Sequence, residues 1–248
     1  MKLQLLAVAI ASAVAAQGQV RVIISGGFAP AYRELLPEFE RTTGIKVTTA
    51  SGASQGTGPD TIGALLRRGE QADMVIMNRA GLAELISQGK LVPGSDLDLA
   101  ETATGVAVRV GSPRPDIGTV EAVKQTLLAA KTVAVPGSSA AGFTQLLQRL
   151  GIAGRLEVKI PGRGTESVGM VARGEAMLSI QPVSEILNMP GVELGGTLPA
   201  ELQHRSVYAG AIMSGSNQTE PARRLIAFLA SDAAAAAIRR SGMQPSGR

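Results

Sequence analysis

The sequence predicts an α/β protein with two lobes, each a mainly parallel sheet flanked by helices. Strand-like and helix-like segments alternate along almost the whole chain. Short apolar runs such as residues 72–77 (ADMVIM) are bounded by polar residues, as expected of parallel strands covered on both faces. The alternation falls into two series, one starting at residue 19 and the other at residue 104.

The first series predicts three strands and three helices in alternation. Strands are expected at residues 19–25, 45–51 and 72–77, and helices at residues 30–44, 61–68 and 80–89. Pro37 lies inside the first of these helices, where proline removes a backbone hydrogen bond, so a kink or an irregular turn is expected.

The second series continues the same pattern and then returns to the first lobe. It predicts strands at residues 104–113, 132–136, 156–161 and 176–181, with helices at residues 119–130, 142–151 and 166–174. A strand at residues 204–213 and one alanine-rich helix at residues 221–240 follow. The lobes are expected at residues 17–104 and 105–204, with residues 205–248 returning to the first. The chain is expected to cross between them near residues 105 and 207.

The N-terminus has the pattern of a cleavable signal peptide over residues 1–16. Lys2 precedes an apolar run from Leu3 to Ala13, and small residues follow as a cleavage site. The run is too short to span a bilayer, and no later stretch is both long enough and free of charge. We therefore expect export to a periplasm, without a lipid anchor because the chain has no cysteine.

Composition excludes several classes of function. The chain has no Cys and one His, so neither a disulfide framework nor a zinc or iron site is expected, and no cofactor is predicted. The net charge is only +4 and aromatic residues make up 2%, which leaves neither a phosphate-tracking stripe nor base-stacking platforms for nucleic acid. A mild positive bias suits a small anionic ligand bound by a monomer.

Small and polar residues collect where the predicted parallel strands end, which is where such sheets bind ligands. Most of these loops open a helix, whose first N–H groups are unpaired and attract anions. The same residues also serve as ordinary N-caps and turns, and that alternative stays open for each loop. In chain order the candidates are Ser25, Gly26, Gly27, Ser54, Asn78, Arg79, Ser139, Arg163, Gly164 and Gln181.

Three of these candidates raise specific questions. Gly26 and Gly27 lie between a strand and a helix, so either the turn is tight or another group approaches the backbone there. Arg79 ends an apolar strand, where a guanidinium is placed to bind a carboxylate through two hydrogen bonds. The alternative for Arg79 is a surface arginine bonded to Glu84 or to solvent.

The chain resembles the periplasmic molybdate-binding-like proteins over essentially its whole mature length. The segments SGGFAPAYRELLPEFERTTGIKVTTASGAS, RGEQADMVIM, RGEAMLSIQPVSEI and LIAFLASDAAAAAIRRSGM carry the resemblance through their order and spacing. The resemblance implies the two-lobed type II periplasmic-binding fold. It also implies a solute receptor that works with the membrane subunits of an ABC importer and closes on its ligand by a hinge.

Position by position, the resemblance is incomplete at the ligand site. The family's serine after the second strand falls on Ser54, and its backbone donors in the second lobe fall near Ala141 and Gly164. Its first-loop serine falls on Phe28, however, and its tyrosine falls on Pro182. With two donors to a compact oxyanion replaced and Arg79 added, we expect an organic carboxylate or polycarboxylate as the ligand. Molybdate or tungstate is the weaker alternative.

The stretch ISGGFAPAY also looks like the corresponding part of aconitate isomerases, which have this fold and interconvert cis- and trans-aconitate. This resemblance implies a second hypothesis, an enzyme that moves an allylic proton with an acid–base group. Glu166 and Glu185 are the carboxylates in the candidate loops. Glu166 is also explained as a helix N-terminal charge, and Glu185 as a surface or hinge residue. The expectation remains a carboxylate receptor, with the isomerase as the alternative.

Overall fold

The structure, a computed structural model, describes residues 19–187 and 189–246. The predicted signal peptide over residues 1–16 therefore lies outside the described residues. Within them, every helix is too short or too polar to cross a membrane.

The described residues form strands and helices in alternation. The strands are β1 Gln19–Ile24, β2 Lys46–Ser51, β3 Met74–Asn78, β4 Leu97–Thr102, β5 Thr104–Arg109, β6 Thr132–Ala134, β7 Glu157–Lys159, β8 Leu178–Pro182, β9 Val192–Thr197, β10 Ser206–Ile212 and β11 Gln244–Pro245. The helices are α1 Ala29–Thr43, α2 Ile62–Arg67, α3 Arg79–Ser87, α4 Val120–Ala130, α5 Ala140–Arg149, α6 Gly164–Ala172, α7 Thr219–Leu229 and α8 Ala235–Arg240.

The strands make two separate sheets, which confirms the predicted fold class. The first sheet has the order β11-β4-β10-β3-β1-β2 and the second the order β7-β6-β8-β5-β9. β1 pairs in parallel with β2 and β3, whereas β10 runs antiparallel to β3 and β4. In the second sheet β6 pairs in parallel with β7 and β8, and β5 is antiparallel to β8 and β9.

The central strand β3 is buried on both faces, as its apolar sequence predicted. Met74 and Ile76 belong to one core cluster, which α1 and α7 cover. Val75 and Met77 belong to the cluster on the opposite face, beneath α2 and α3. A strand packed on both faces needs no polar alternation, and this explains the continuous apolar run.

The chain crosses between the sheets twice, and the two crossing segments are hydrogen-bonded to each other. The first crossing leads from β4 directly into β5, and the second leads from β9 to β10. The Thr104 amide donates to Gln203 Oε1 at 2.6 Å, and the Thr104 hydroxyl donates to the carbonyl of His204 at 2.7 Å. Two adjacent crossings form the type of connection about which two lobes can hinge.

Three details differ from the sequence-based expectation. α1 continues through Pro37 without a break in its assigned helix. The alanine-rich helix expected at residues 221–240 is divided into α7 and α8 by a short 3₁₀ turn at Asp232–Ala234. Just before this turn the Ser231 hydroxyl donates a hydrogen bond to the Phe228 carbonyl. β4 and β9 were not predicted, because acidic residues interrupt the apolar pattern of the first and glycines that of the second.

Candidate functional site

A cleft of about 790 Å³ lies between the two sheets. This volume suits a small organic molecule. Predicted residues from both halves of the chain line it. They are Ser25, Gly26, Ser54, Asn78 and Arg79 from the side of the first sheet, and Ser139, Ala141, Arg163 and Gly164 from the side of the second.

Four helices begin at the wall of this cleft. The lining includes residues at the starts of α1 (Ala29), α3 (Ala80), α5 (Ala141) and α6 (Gly164). Helix N-termini carry a partial positive charge and amide hydrogens without intrahelical partners. Because four of them begin at one cavity, the cleft favours a negatively charged ligand.

Most charged side chains of the lining are also positive. Five arginines contribute, namely Arg33, Arg79, Arg149, Arg163 and Arg205. Among the described residues that line the cleft, Glu185 is the one carboxylate. A single acidic group among these cations is either unfavourable for an anionic ligand or part of the chemistry done on it.

Arg79 lines the cleft, but its guanidinium is already paired. Its Nε donates to Asp98 Oδ1 at 2.7 Å, and its Nη1 donates to Asp96. The guanidinium expected to be free for a ligand carboxylate is therefore engaged in this structure. The sequence reading missed both partners because β4, which brings Asp98 beside the start of α3, was not predicted.

Arg163 also has a carboxylate partner, and this one lies across the cleft. Its guanidinium forms an ion pair with Asp60, which follows β2 in the first sheet, whereas Arg163 follows β7 in the second. Arg163 Nη2 also donates to the Ser51 carbonyl at 3.4 Å. The Arg163 guanidinium beside Asp60 lowers the pKa of that carboxyl.

Ser54 and Asn78 have local structural roles as well as places in the lining. The Asn78 amide donates to Ser54 Oγ at 3.0 Å, and Asn78 Oδ1 caps α3 by accepting from the Gly81 amide at 2.8 Å. Asn78 is therefore an N-cap, which was the alternative left open for these loops. Its side-chain oxygen is occupied before any ligand binds.

Four of the candidates do not line the cleft. Phe28 is buried in the core, and Gly27 lies beneath another side chain. Gln181 is buried, and its Nε2 donates to the backbone carbonyl of Glu185 at 3.0 Å. Glu166 Oε2 accepts from the Arg163 amide at 3.4 Å, which makes it a cap of α6. Gln181 thus supports the site through the main chain of Glu185.

The hydroxyl of Ser25 is an unsatisfied polar group at the cleft. Ser25 is only 2% exposed, and its Oγ has no hydrogen-bond partner within the described part of the chain. A buried hydroxyl without a partner costs about 1–3 kcal/mol. A group that is buried, unpartnered and part of the lining is suited to bind an oxygen of a ligand.

Glu185 and Tyr208 meet across the cleft beside Gly26 and Gly27, and Tyr208 explains why residue 27 is a glycine. Glu185 follows β8, Tyr208 lies in β10, and the Tyr208 hydroxyl donates to Glu185 Oε1 at 3.3 Å. A Cβ atom at Gly27 would lie 1.8 Å from Tyr208 Oη, and one at Gly26 would lie 3.9 Å from Glu185 Oε1. The groups that approach this backbone are therefore the phenol and the carboxyl.

Burial gives the Glu185 carboxyl an unusually high pKa. Desolvation raises the pKa of its carboxyl from 4.5 to about 7, and the hydrogen bond from Tyr208 opposes this rise. A carboxyl that is half protonated near neutral pH is suited to both accept and donate a proton. Sequence reasoning offered Glu185 as an acid–base candidate for the isomerase and left a surface or hinge position open, because nothing local to VSEI indicates that Tyr208 covers it.

Known proteins resemble this chain in sequence over most of its length. The profile of a family described as bacterial extracellular solute-binding protein matches residues 20–244. An aconitate isomerase from Pseudomonas sp. is 38% identical over 227 residues, which are 90% of this chain and 87% of that protein.

Solved structures resemble the fold. The periplasmic molybdate-binding protein of Azotobacter vinelandii has a TM-score of 0.74 at 19% identity, and the match covers 92% of this chain and 100% of that one. The sulfate-binding protein SubI of Mycobacterium tuberculosis has a TM-score of 0.70 at 18% identity, with 92% and 87% covered. At these identities the likeness establishes the shared two-lobed fold.

Proposed function

The chain belongs to the bacterial extracellular solute-binding proteins, and we propose that it binds a small polycarboxylate and isomerises it, as an aconitate isomerase. The observation that carries the proposal is the carboxyl of Glu185, the one carboxylate among the described residues that line the cleft. In a receptor for an anion, an ionised carboxylate in the lining would repel the ligand. An enzyme that moves a proton needs such a group.

The walls of the cleft support a substrate with several carboxylates. Aconitate carries three, and the starts of α1, α3, α5 and α6 offer separate positions for negatively charged groups. The unpartnered Ser25 hydroxyl is a further donor to a carboxylate oxygen. The identity to an aconitate isomerase over most of the chain supports the same substrate class.

Glu185 is assigned the proton transfer. Its carboxylate takes a proton from the CH₂ carbon of trans-aconitate, and the electron pair of that C–H bond forms a new double bond to the central carbon. The original π pair moves to the far carbon, which then receives the proton from the Glu185 carboxyl. One proton and one double bond have moved, and no oxidation has occurred. The helix N-termini stabilise the negative charge that spreads over the allylic unit.

A carboxylate receptor without turnover is the second candidate. The ion pair of Arg163 with Asp60 across the cleft favours it, because a contact of this kind holds a ligand between closed lobes. In either role we propose a periplasmic location, and for the receptor a partnership with the membrane subunits of an importer.

Proton NMR of the pure protein with trans-aconitate tests the proposal. We expect cis-aconitate to appear with many turnovers per protein molecule, and Glu185→Gln to lower the rate by about 10²–10⁴-fold. Glu166→Gln is the matched control, since Glu166 caps α6 outside the lining, and it should retain the rate. Tight binding of aconitate without turnover would make the protein a receptor. A thermal shift with molybdate alone would overturn the choice of a carboxylate.

A further inference from the structure

Tyr208 contacts the Glu185 carboxyl from the opposite sheet. Its side chain is 2% exposed, and its hydroxyl donates to Glu185 Oε1 at 3.3 Å. Among the described residues, no protein group donates a hydrogen bond to Glu185 Oε2. The two oxygens of this carboxyl are therefore not equivalent.

Each member of the pair packs against a glycine, where any other residue would place a side chain. A Cβ atom at Gly27 would come within 1.8 Å of Tyr208 Oη, and one at Gly164 would come within 1.8 Å of Glu185 Oε2. At Gly27 the rigid phenol ring also lies within 2.6 Å of that Cβ position and leaves no room for a side chain, whereas at Gly164 the Glu185 carboxyl would have to move away. The sequence thus reserves space for the phenol on one side of the cleft and for the carboxyl on the other.

We infer that Tyr208 is a positioning residue that holds Oε1 of Glu185 and leaves Oε2 to transfer the proton. The inference rests on the proposed isomerase function. A phenol hydroxyl donates to Oε1 whether the carboxyl is ionised or protonated, so the carboxyl keeps one orientation through both halves of the proton shift. One fixed oxygen then takes the proton from one carbon and returns it to the other.

Three described residues approach the Glu185 carboxyl, and its titration reports on them. Tyr208 faces it from β10, Gly26 from the loop after β1 and Gly164 from the start of α6. Tyr208 is the titratable member of this set. Removing its hydroxyl removes a donor that stabilises the carboxylate, so the Glu185 carboxyl should become harder to ionise.

The experiment compares Tyr208→Phe with Tyr32→Phe. Tyr32 is the other tyrosine of the chain, and its buried hydroxyl bonds to Thr49 at 2.8 Å, away from the cleft lining. Isotope-edited NMR follows the Glu185 carboxyl through a pH titration, and turnover is measured in parallel. We expect Tyr208→Phe to move the Glu185 midpoint upward and to lower kcat about tenfold. Tyr32→Phe should change neither.

The two readouts separate this inference from the proposed function. An active wild-type protein whose Glu185 titrates identically in Tyr208→Phe overturns the role of Tyr208 and leaves the isomerase intact. An inactive wild-type protein overturns the isomerase, while the titration still decides whether Tyr208 holds the carboxyl. If Tyr208→Phe does not fold, Glu185→Gln tests the pair from the other side. Loss of the negative charge should then lower the pH at which Tyr208 ionises, and an unchanged pH would contradict the contact.

Discussion

Arg163 and Asp60 form an ion pair across the mouth of the cleft. Asp60 follows β2 and Arg163 follows β7, which are the edge strands farthest from the crossing segments in their respective sheets. Gly56 and Gly137 lie close to each other at the same place: a Cβ at Gly137 would be 3.7 Å from the Gly56 Cα. The ion pair thus joins the lobes at the position where opening about the crossings separates them most.

This geometry predicts that Asp60→Asn loosens the closed state. Because both side chains are about one-third exposed, the pair contributes about 1 kcal/mol or less, and the dissociation rate of a bound carboxylate should rise by up to about fivefold. Stopped-flow displacement of trans-aconitate measures this rate. Glu175→Gln removes an exposed ion pair within one lobe, Arg173 with Glu175, and should leave it unchanged. Equal dissociation rates in the wild type, Asp60→Asn and Glu175→Gln would show that the Arg163–Asp60 ion pair does not hold the lobes closed.

Glu185→Gln should stabilise the protein at pH 8 more than at pH 5. The folded state raises the pKa of Glu185 from 4.5 to about 7, so the folded protein binds the proton more tightly than the unfolded chain. The wild-type protein therefore loses stability as pH rises from 4.5 through 7, by up to about 3 kcal/mol, and the glutamine variant does not. Thermal unfolding of both proteins at the two pH values measures the difference. If the stability difference between the wild type and Glu185→Gln is the same at pH 5 and pH 8, the raised pKa of Glu185 is contradicted.

The pH dependence of turnover should report the same group. Glu185 must be ionised to accept the first proton, so kcat/KM for trans-aconitate should rise with pH and level off above a midpoint near 7. Initial rates measured at constant ionic strength give the profile. A midpoint near the ordinary carboxyl value of 4.5 would assign the proton transfer to a different, solvated group.

Ser25→Ala should separate stability from binding. Removal of the unpartnered hydroxyl relieves a buried polar group, so the free energy of unfolding should rise by about 1 kcal/mol, while the affinity for trans-aconitate falls. Ser167→Ala is the contrasting control, because the buried Ser167 hydroxyl bonds to Ser179 at 2.6 Å and its loss should destabilise the protein. Denaturant unfolding and calorimetric titration give the two quantities. Unchanged affinity in Ser25→Ala would mean that no ligand atom meets this hydroxyl.

Local periodicity explains which parts of the fold were predictable. The apolar run of β3 and the amphipathic pattern of α1 are properties of neighbouring residues, and both elements lie where the pattern placed them. β4 was missed because Asp98 and Glu101 interrupt its apolar pattern without alternating regularly, and its pairing with β10 comes from far along the chain. The partners of Arg79 were missed for the same reason.

By itself, the sequence determined the two-lobed α/β architecture and the collection of small and polar residues at strand ends, because strand and helix periods and glycine positions are local. Only the tertiary structure decided the chemistry of the cleft. Glu185 and Tyr208 are 23 residues apart, and Arg163 and Asp60 are 103 apart. The acidity of a carboxyl depends on which groups exclude water from it. Tyr208 reaches Glu185 from the opposite sheet, so no local pattern around Glu185 encodes its pKa.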